Sequence, residues 1–128
     1  NPVATACGLA PLKEIAKPGF FEDLSRKTRA LVDGLMTAAA AEGVPFCADS
    51  EGGMFGFFLL PHLPQNYSQV MKSDGTRFNR LFHGLLERGV YIAPALYEAG
   101  FVSAAHSEQD IAETIGVACE VFSALSQQ

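Results

Sequence analysis

Between Phe20 and Ala41 the apolar residues step by three and four. Phe21, Leu24, Thr28, Leu31, Leu35 and Ala38 make one stripe, with Arg26, Lys27, Arg29 and Asp33 beside or opposite it. That pattern predicts a helix buried through one face and stopped at Gly43. A second stripe, Phe78, Leu81, Phe82, Leu85 and Leu86, predicts a helix opened by Asp74-Gly75-Thr76 and closed by Gly89. A third, Ile111, Ile115, Ala118, Phe122 and Leu125, predicts a last helix ending near Ser126. Ser107 to Asp110, just ahead of it, have the spacing of a capping box. Asn1-Pro2 suits the start of a further helix reaching about Ala16, because Asn caps well and Pro is accepted at the first helical position. Pro11 lies inside that helix and removes one backbone donor. Lys17-Pro18-Gly19 ends it.

The remaining apolar segments are too short for helices and are bounded by breakers. Pro45 to Ala48 predicts a short edge strand. Met54 to Leu60, the run MFGFFLL, stands between Gly52-Gly53 and Pro61 and predicts a strand buried on both faces. Gly56 in its middle leaves room for a second backbone or a ligand. Val90 to Ala93 and Phe101 to Ala104 predict two more strands. Pro61 to Ser73 is loop-like, with a helical turn near Tyr67 to Met71. The order is helix, helix, strand, strand, helix, strand, strand, helix, and the short inter-strand spacing favours hairpins over crossovers. The expected fold class is therefore α+β: a small, mainly antiparallel sheet with helices packed on one face, over residues 1–128 as one domain.

Composition narrows the function classes. A charged fraction of 18% against 48% hydrophobic residues describes a globular chain. The net charge of −5, with nine scattered basic residues, argues against nucleic acid and anionic membrane as partners. No apolar stretch is long enough for a membrane span. Cys7, Cys47 and Cys119 are an odd, widely spaced set, which favours a reducing compartment and hence the cytoplasm. Their positions suggest small core residues. The chain opens Asn-Pro-Val-Ala with neither initiator Met nor leader, and we expect a fragment or isolated domain of something longer.

Chemistry-bearing patterns are few. No Walker sequence, Gly-x-Ser-x-Gly or Gly-x-Gly-x-x-Gly occurs. Gly52-Gly53 and Gly56 are not followed by a helix N-terminus that could hold phosphate. His62, His83 and His106 lie about twenty residues apart without zinc-ligand spacing; His83 is expected to be a half-buried packing residue. A lysine could hold an aldehyde cofactor as a Schiff base, but only from a desolvated pocket. Lys13, Lys17, Lys27 and Lys72 all fall on polar helix faces or in loops. Glu98 is different: a carboxylate in an otherwise apolar loop between two expected strands. It could serve as a general acid or base or set the charge of a ligand pocket, or it could be a solvated loop acid.

Three stretches carry a resemblance: NPVATACGLA, GGMFGFFLL and RGVYIAPALYEAGFVSAAHSEQDI. Through them the chain resembles the C-terminal part of the glutamate-1-semialdehyde 2,1-aminomutases. These are pyridoxal-phosphate enzymes of the aspartate-aminotransferase fold type, related to the class III aminotransferases. The resemblance implies the small domain of a homodimeric isomerase that makes 5-aminolevulinate for porphyrin biosynthesis, starting from the pyridoxamine phosphate form of the cofactor. It implies that the Schiff-base lysine and most cofactor contacts lie in a large domain absent from this chain. The chain alone should then be inactive, and its partners should be that large domain, the second subunit and a small-molecule substrate. It also makes Glu98 the candidate catalytic residue. Related aminotransferases carry an arginine thereabouts for the substrate carboxylate, whereas an acid would favour amino or imine groups near the cofactor. Pro11 departs from the family pattern of an uninterrupted helix. Two other readings stay open: the small domain of another class III aminotransferase, and a freestanding binding or regulatory module.

Overall fold

The computed structural model describes residues 1–127. Among these, the chain order is α1 (Pro2–Ile15), α2 (Phe20–Ala41), β1 (Cys47–Glu51), β2 (Met54–Phe58), α3 (Tyr67–Val70), α4 (Gly75–Leu86), β3 (Gly100–Phe101) and α5 (Glu108–Ser126). The three strands form one antiparallel sheet in the order β1-β2-β3. The α+β class and the antiparallel sheet expected from the sequence are both present.

The helix caps follow the sequence closely. The Asn1 side chain accepts from the Val3 N–H, and Asp74 accepts from the Arg77 N–H. Ser107 and Asp110 close the expected capping box in both directions. At the other ends, α2 and α4 stop alike. Gly43 (φ 66) and Gly89 (φ 85) take the left-handed conformation that a side chain resists. The next N–H, of Val44 or Val90, then reaches back to the carbonyl of Ala39 (2.9 Å) or Leu85 (3.0 Å). This turn carries Val44 into the core and Val90 against it.

The core lies between one face of the sheet and helices α2, α4 and α5. Pairing of Ala48 with Phe57 and Ser50 with Phe55 puts these four on one face by the two-residue pleat, and Ala48 and Phe55 belong to the buried cluster. Phe122 of α5 is fully buried and meets Phe46 edge-on with centroids 5.2 Å apart. Phe46 in turn stacks on Phe57 at 5.3 Å. Two glycines let helices approach. A Cβ on Gly34 would lie 2.7 Å from Cγ1 of Ile115, and one on Gly84 would lie 2.8 Å from Cγ1 of Val121. Buried polar groups are satisfied: Thr28 Oγ1 donates to the Leu24 carbonyl, and Ser73 Oγ accepts from the Leu59 N–H.

Several expectations need correction. Strand β2 ends at Phe58 and is buried on one face only. On its other face Met54 is 45% exposed, and so is its β3 partner Phe101, at 69%. Val90 to Ala93 is irregular rather than a strand; Val90 and Ile92 pack on the core without joining the ladder. The last strand shrinks to Gly100–Phe101, since Val102 donates to Gly53 (2.8 Å) and the chain then turns at Ser103. The first strand begins at Cys47 and runs to Glu51 instead of covering Pro45 to Ala48. Only Cys47 of the cysteines is buried. Cys7 rides on α1, which has no buried residue, and Cys119 points away from its buried neighbour Ala118. His83 is exposed, and so are Leu86 and Phe21.

Candidate functional site

The segment from Tyr91 to Ala99 leaves α4, passes beside β2 and returns as β3. Between it and β2 lies an open cleft of about 500 Å³. Its apolar wall is built by Phe55 and Phe57 of β2, with Tyr91, Ile92, Leu96 and Phe101 around it. Glu98 is the one charged residue that lines it. The carboxylate is exposed, and its backbone N–H closes a turn on the Ala95 carbonyl at 3.3 Å. A second groove, of about 310 Å³, shares Phe55 and Ala99 with the cleft and adds Asp49 and Glu51 of β1. The region thus combines an aromatic floor with carboxylates at its margin. Such a surface attracts amino groups and repels free carboxylates.

The walls are held from behind. The Phe57 ring stacks on Phe46 and lies 6.2 Å from Phe78 of α4. Tyr91 meets Phe82 of α4 edge-on. The far end of the segment is tied at His106, whose Nδ1 accepts the Ser103 N–H at 3.0 Å. Asp110 then anchors the start of α5. Its carboxylate takes hydrogen bonds from the Ser107 hydroxyl and N–H, which hold its carboxyl below the usual carboxylate range.

Other candidates separate from this cleft. His62 and His83 are exposed and do not line it. Lys13, Lys17 and Lys72 are exposed, Lys27 pairs with Asp23 at 3.0 Å, and no lysine reaches the cleft. The chain's own residues therefore do not fit covalent attachment of pyridoxal phosphate. Burial pushes the Cys47 thiol up, which makes it a packing group rather than a nucleophile. Among the described residues no set of three His, Cys, Asp or Glu side chains could hold a metal ion, and no helix is long and apolar enough to cross a membrane. The sequence pattern singled out Glu98 but not the aromatic residues around it. Phe55, Phe57 and Tyr91 sit in apolar runs that read as core, and only the fold turns one side of those runs toward a cleft.

No protein-family model matches the chain. It is 73% identical over 125 residues to a glutamate-1-semialdehyde 2,1-aminomutase of Acidovorax ebreus, 98% of this chain and 29% of that protein. It is 74% identical over 126 residues to the same-named protein of Paracidovorax citrulli, again 98% and 29%. Among solved structures, an omega-transaminase from Sphaerobacter thermophilus superposes with a TM-score of 0.80 at 21% identity, covering 100% of this chain and 29% of that one. A glutamate-1-semialdehyde aminomutase from Pseudomonas aeruginosa gives 0.75 at 16% identity, covering 88% and 25%. These structures establish the architecture, that of transaminase-fold enzymes. The sequence match is the stronger one: at 73–74% identity the chain aligns with a segment spanning about 29% of the length of proteins named glutamate-1-semialdehyde 2,1-aminomutase.

Proposed function

We propose that this chain is the small C-terminal domain of an enzyme that converts glutamate-1-semialdehyde to 5-aminolevulinate by moving an amino group within one molecule. The observation that carries the reading is identity of 73–74% across nearly the whole chain to proteins of that name. The remaining length of those relatives would supply the large domain, the covalent lysine and the other contacts to pyridoxal phosphate. The enzyme would work in the cytoplasm as a homodimer, and this domain would be inactive alone.

Its own contribution is the cleft. Glu98 sits where a carboxylate can hold a substrate ammonium group and turn away a substrate that presents its carboxylate there. An arginine at this place would reverse that preference and suit ordinary transamination. The surface outside the cleft agrees with a missing neighbour. Val3, Leu9, Leu12 and Ile15 of α1 are all exposed, as is Met54 on the open side of the sheet. A helix this apolar gains its stability by covering that face, and the large domain is the proposed cover.

The test is to express the chain joined to its upstream coding sequence and assay 5-aminolevulinate formation with no added keto acid. Turnover without a second amine acceptor supports the mutase. Glu98→Gln should lower turnover by about 10- to 100-fold, in line with loss of one hydrogen bond to a charged group, about 1.5–3 kcal/mol. Wild-type turnover and an unchanged cofactor spectrum in Glu98→Gln would remove Glu98 from the mechanism.

A further inference from the structure

The cleft depends on a close approach that neither residue type suggests. Gly100, two residues after Glu98, is paired with Phe55 across the ladder. The Phe55 ring lies flat against the Gly100 backbone. A Cβ built on Gly100 would fall 2.5 Å from Cε1 and 2.8 Å from Cε2 of that ring, and closer still to Cζ. Ordinary contact begins near 3.4 Å. Phe55 is 8% exposed and belongs to the core cluster, so its ring can swing aside only into the spaces it lines, and any such shift unseats Gly100. The same ring lines the Glu98 cleft, the neighbouring Asp49–Glu51 groove and a small apolar void behind the sheet. Immediately beyond, the Val102 N–H bonds to the Gly53 carbonyl at 2.8 Å and locks the register. Gly53 has no slack either, since a Cβ there would meet the Val102 carbonyl at 3.0 Å.

From this geometry we infer that Phe55 and Gly100 are positioning residues for Glu98: the ring seats the bare glycine backbone and so sets where the carboxylate stands over the cleft. The inference rests on the reading of Glu98 given above. A methyl group at Gly100 must move the backbone away from the ring by about 1 Å to restore ordinary contact. The turn at Ala95 to Glu98 is carried with it. A displacement of that size at a reacting group can cost about 100-fold in rate.

The experiment uses the full-length enzyme containing this domain and four variants: Gly100→Ala, Glu98→Gln, the two combined, and Phe55→Leu with Gly100→Ala. Leucine lacks the three ring atoms that the new methyl would strike, and the methyl refills part of the space they leave. Turnover, KM, the cofactor absorbance spectrum and the thermal midpoint are read for each. Gly100→Ala should lose kcat by no more than Glu98→Gln does, at most about 100-fold, with KM little changed, and adding Phe55→Leu should recover most of it. In the Glu98→Gln background Gly100→Ala should cost nothing further, because it acts through that carboxylate. Wild-type kcat in Gly100→Ala, or losses that multiply in the Glu98→Gln background, would overturn the positioning role while leaving Glu98 in place. A silent Glu98→Gln would instead remove the Glu98 reading itself, and this inference with it.

Discussion

Phe122→Ala probes the load path behind the cleft. Phe122 is completely buried on α5 and touches Phe46, which stacks on the cleft-lining Phe57. Removing a phenyl ring from such a site costs about 3–5 kcal/mol, transfer and cavity terms together. The upper part of that range applies here. Phe122 already borders an apolar void of about 40 Å³, so the deletion enlarges a hole instead of creating one that neighbours can close. The edge-on contact with Phe46 is lost as well, and such pairs contribute about 0.5–1.5 kcal/mol beyond area. For a loss of about 4 kcal/mol and a urea slope of about 1.5–2 kcal/mol/M, the midpoint should fall by about 2–3 M. Phe122→Leu keeps most of the volume and should cost under about 1.5 kcal/mol. Urea unfolding followed by far-ultraviolet circular dichroism reads both. If the alanine variant loses less than about 2 kcal/mol, or no more than the leucine variant, Phe122 does not organise this core.

The α5 cap and the thiols offer further tests. The Asp110 carboxyl is held below its ordinary value by Ser107. Its contribution is therefore fully present above the usual carboxylate range near pH 4 and is lost as pH falls through the lowered value. Asp110→Asn should flatten the acid limb of a stability-versus-pH curve from the usual carboxylate range near pH 4 downward, and an unchanged limb would refute the pairing. Ser107→Ala should cost about 1 kcal/mol at neutral pH, read as a lowered thermal midpoint. In the isolated chain a disulfide reagent should label Cys7 and Cys119 quickly and Cys47 only on unfolding, as their exposure dictates. In the full-length enzyme Cys7 should become slow if α1 is covered, so equal labelling of Cys7 in both would argue against that docking.

Local signals alone determined much of this protein. Helix α2 runs over Phe20–Ala41 as its stripe requires, because a three-and-four spacing has one helical solution when a face is available to bury. The stops at Gly43 and Gly89 and the Ser107–Asp110 box were equally legible, since each depends on a residue's own conformational range or on a partner three positions away. The carboxylate at Glu98 stood out because it interrupts an apolar segment. Tertiary structure decided the rest. Met54–Phe58 is apolar throughout, so its pattern could not say that one face would stay open; that depends on what the chain brings to the other side. Val90 to Ala93 has strand composition, yet it lies beside β2 without ladder bonds and becomes the wall of a cleft. The seating of Gly100 on Phe55 joins residues 45 positions apart, so closely that a Cβ on the glycine would fall within 3 Å of the ring, and only the folded sheet brings that ring beneath that glycine.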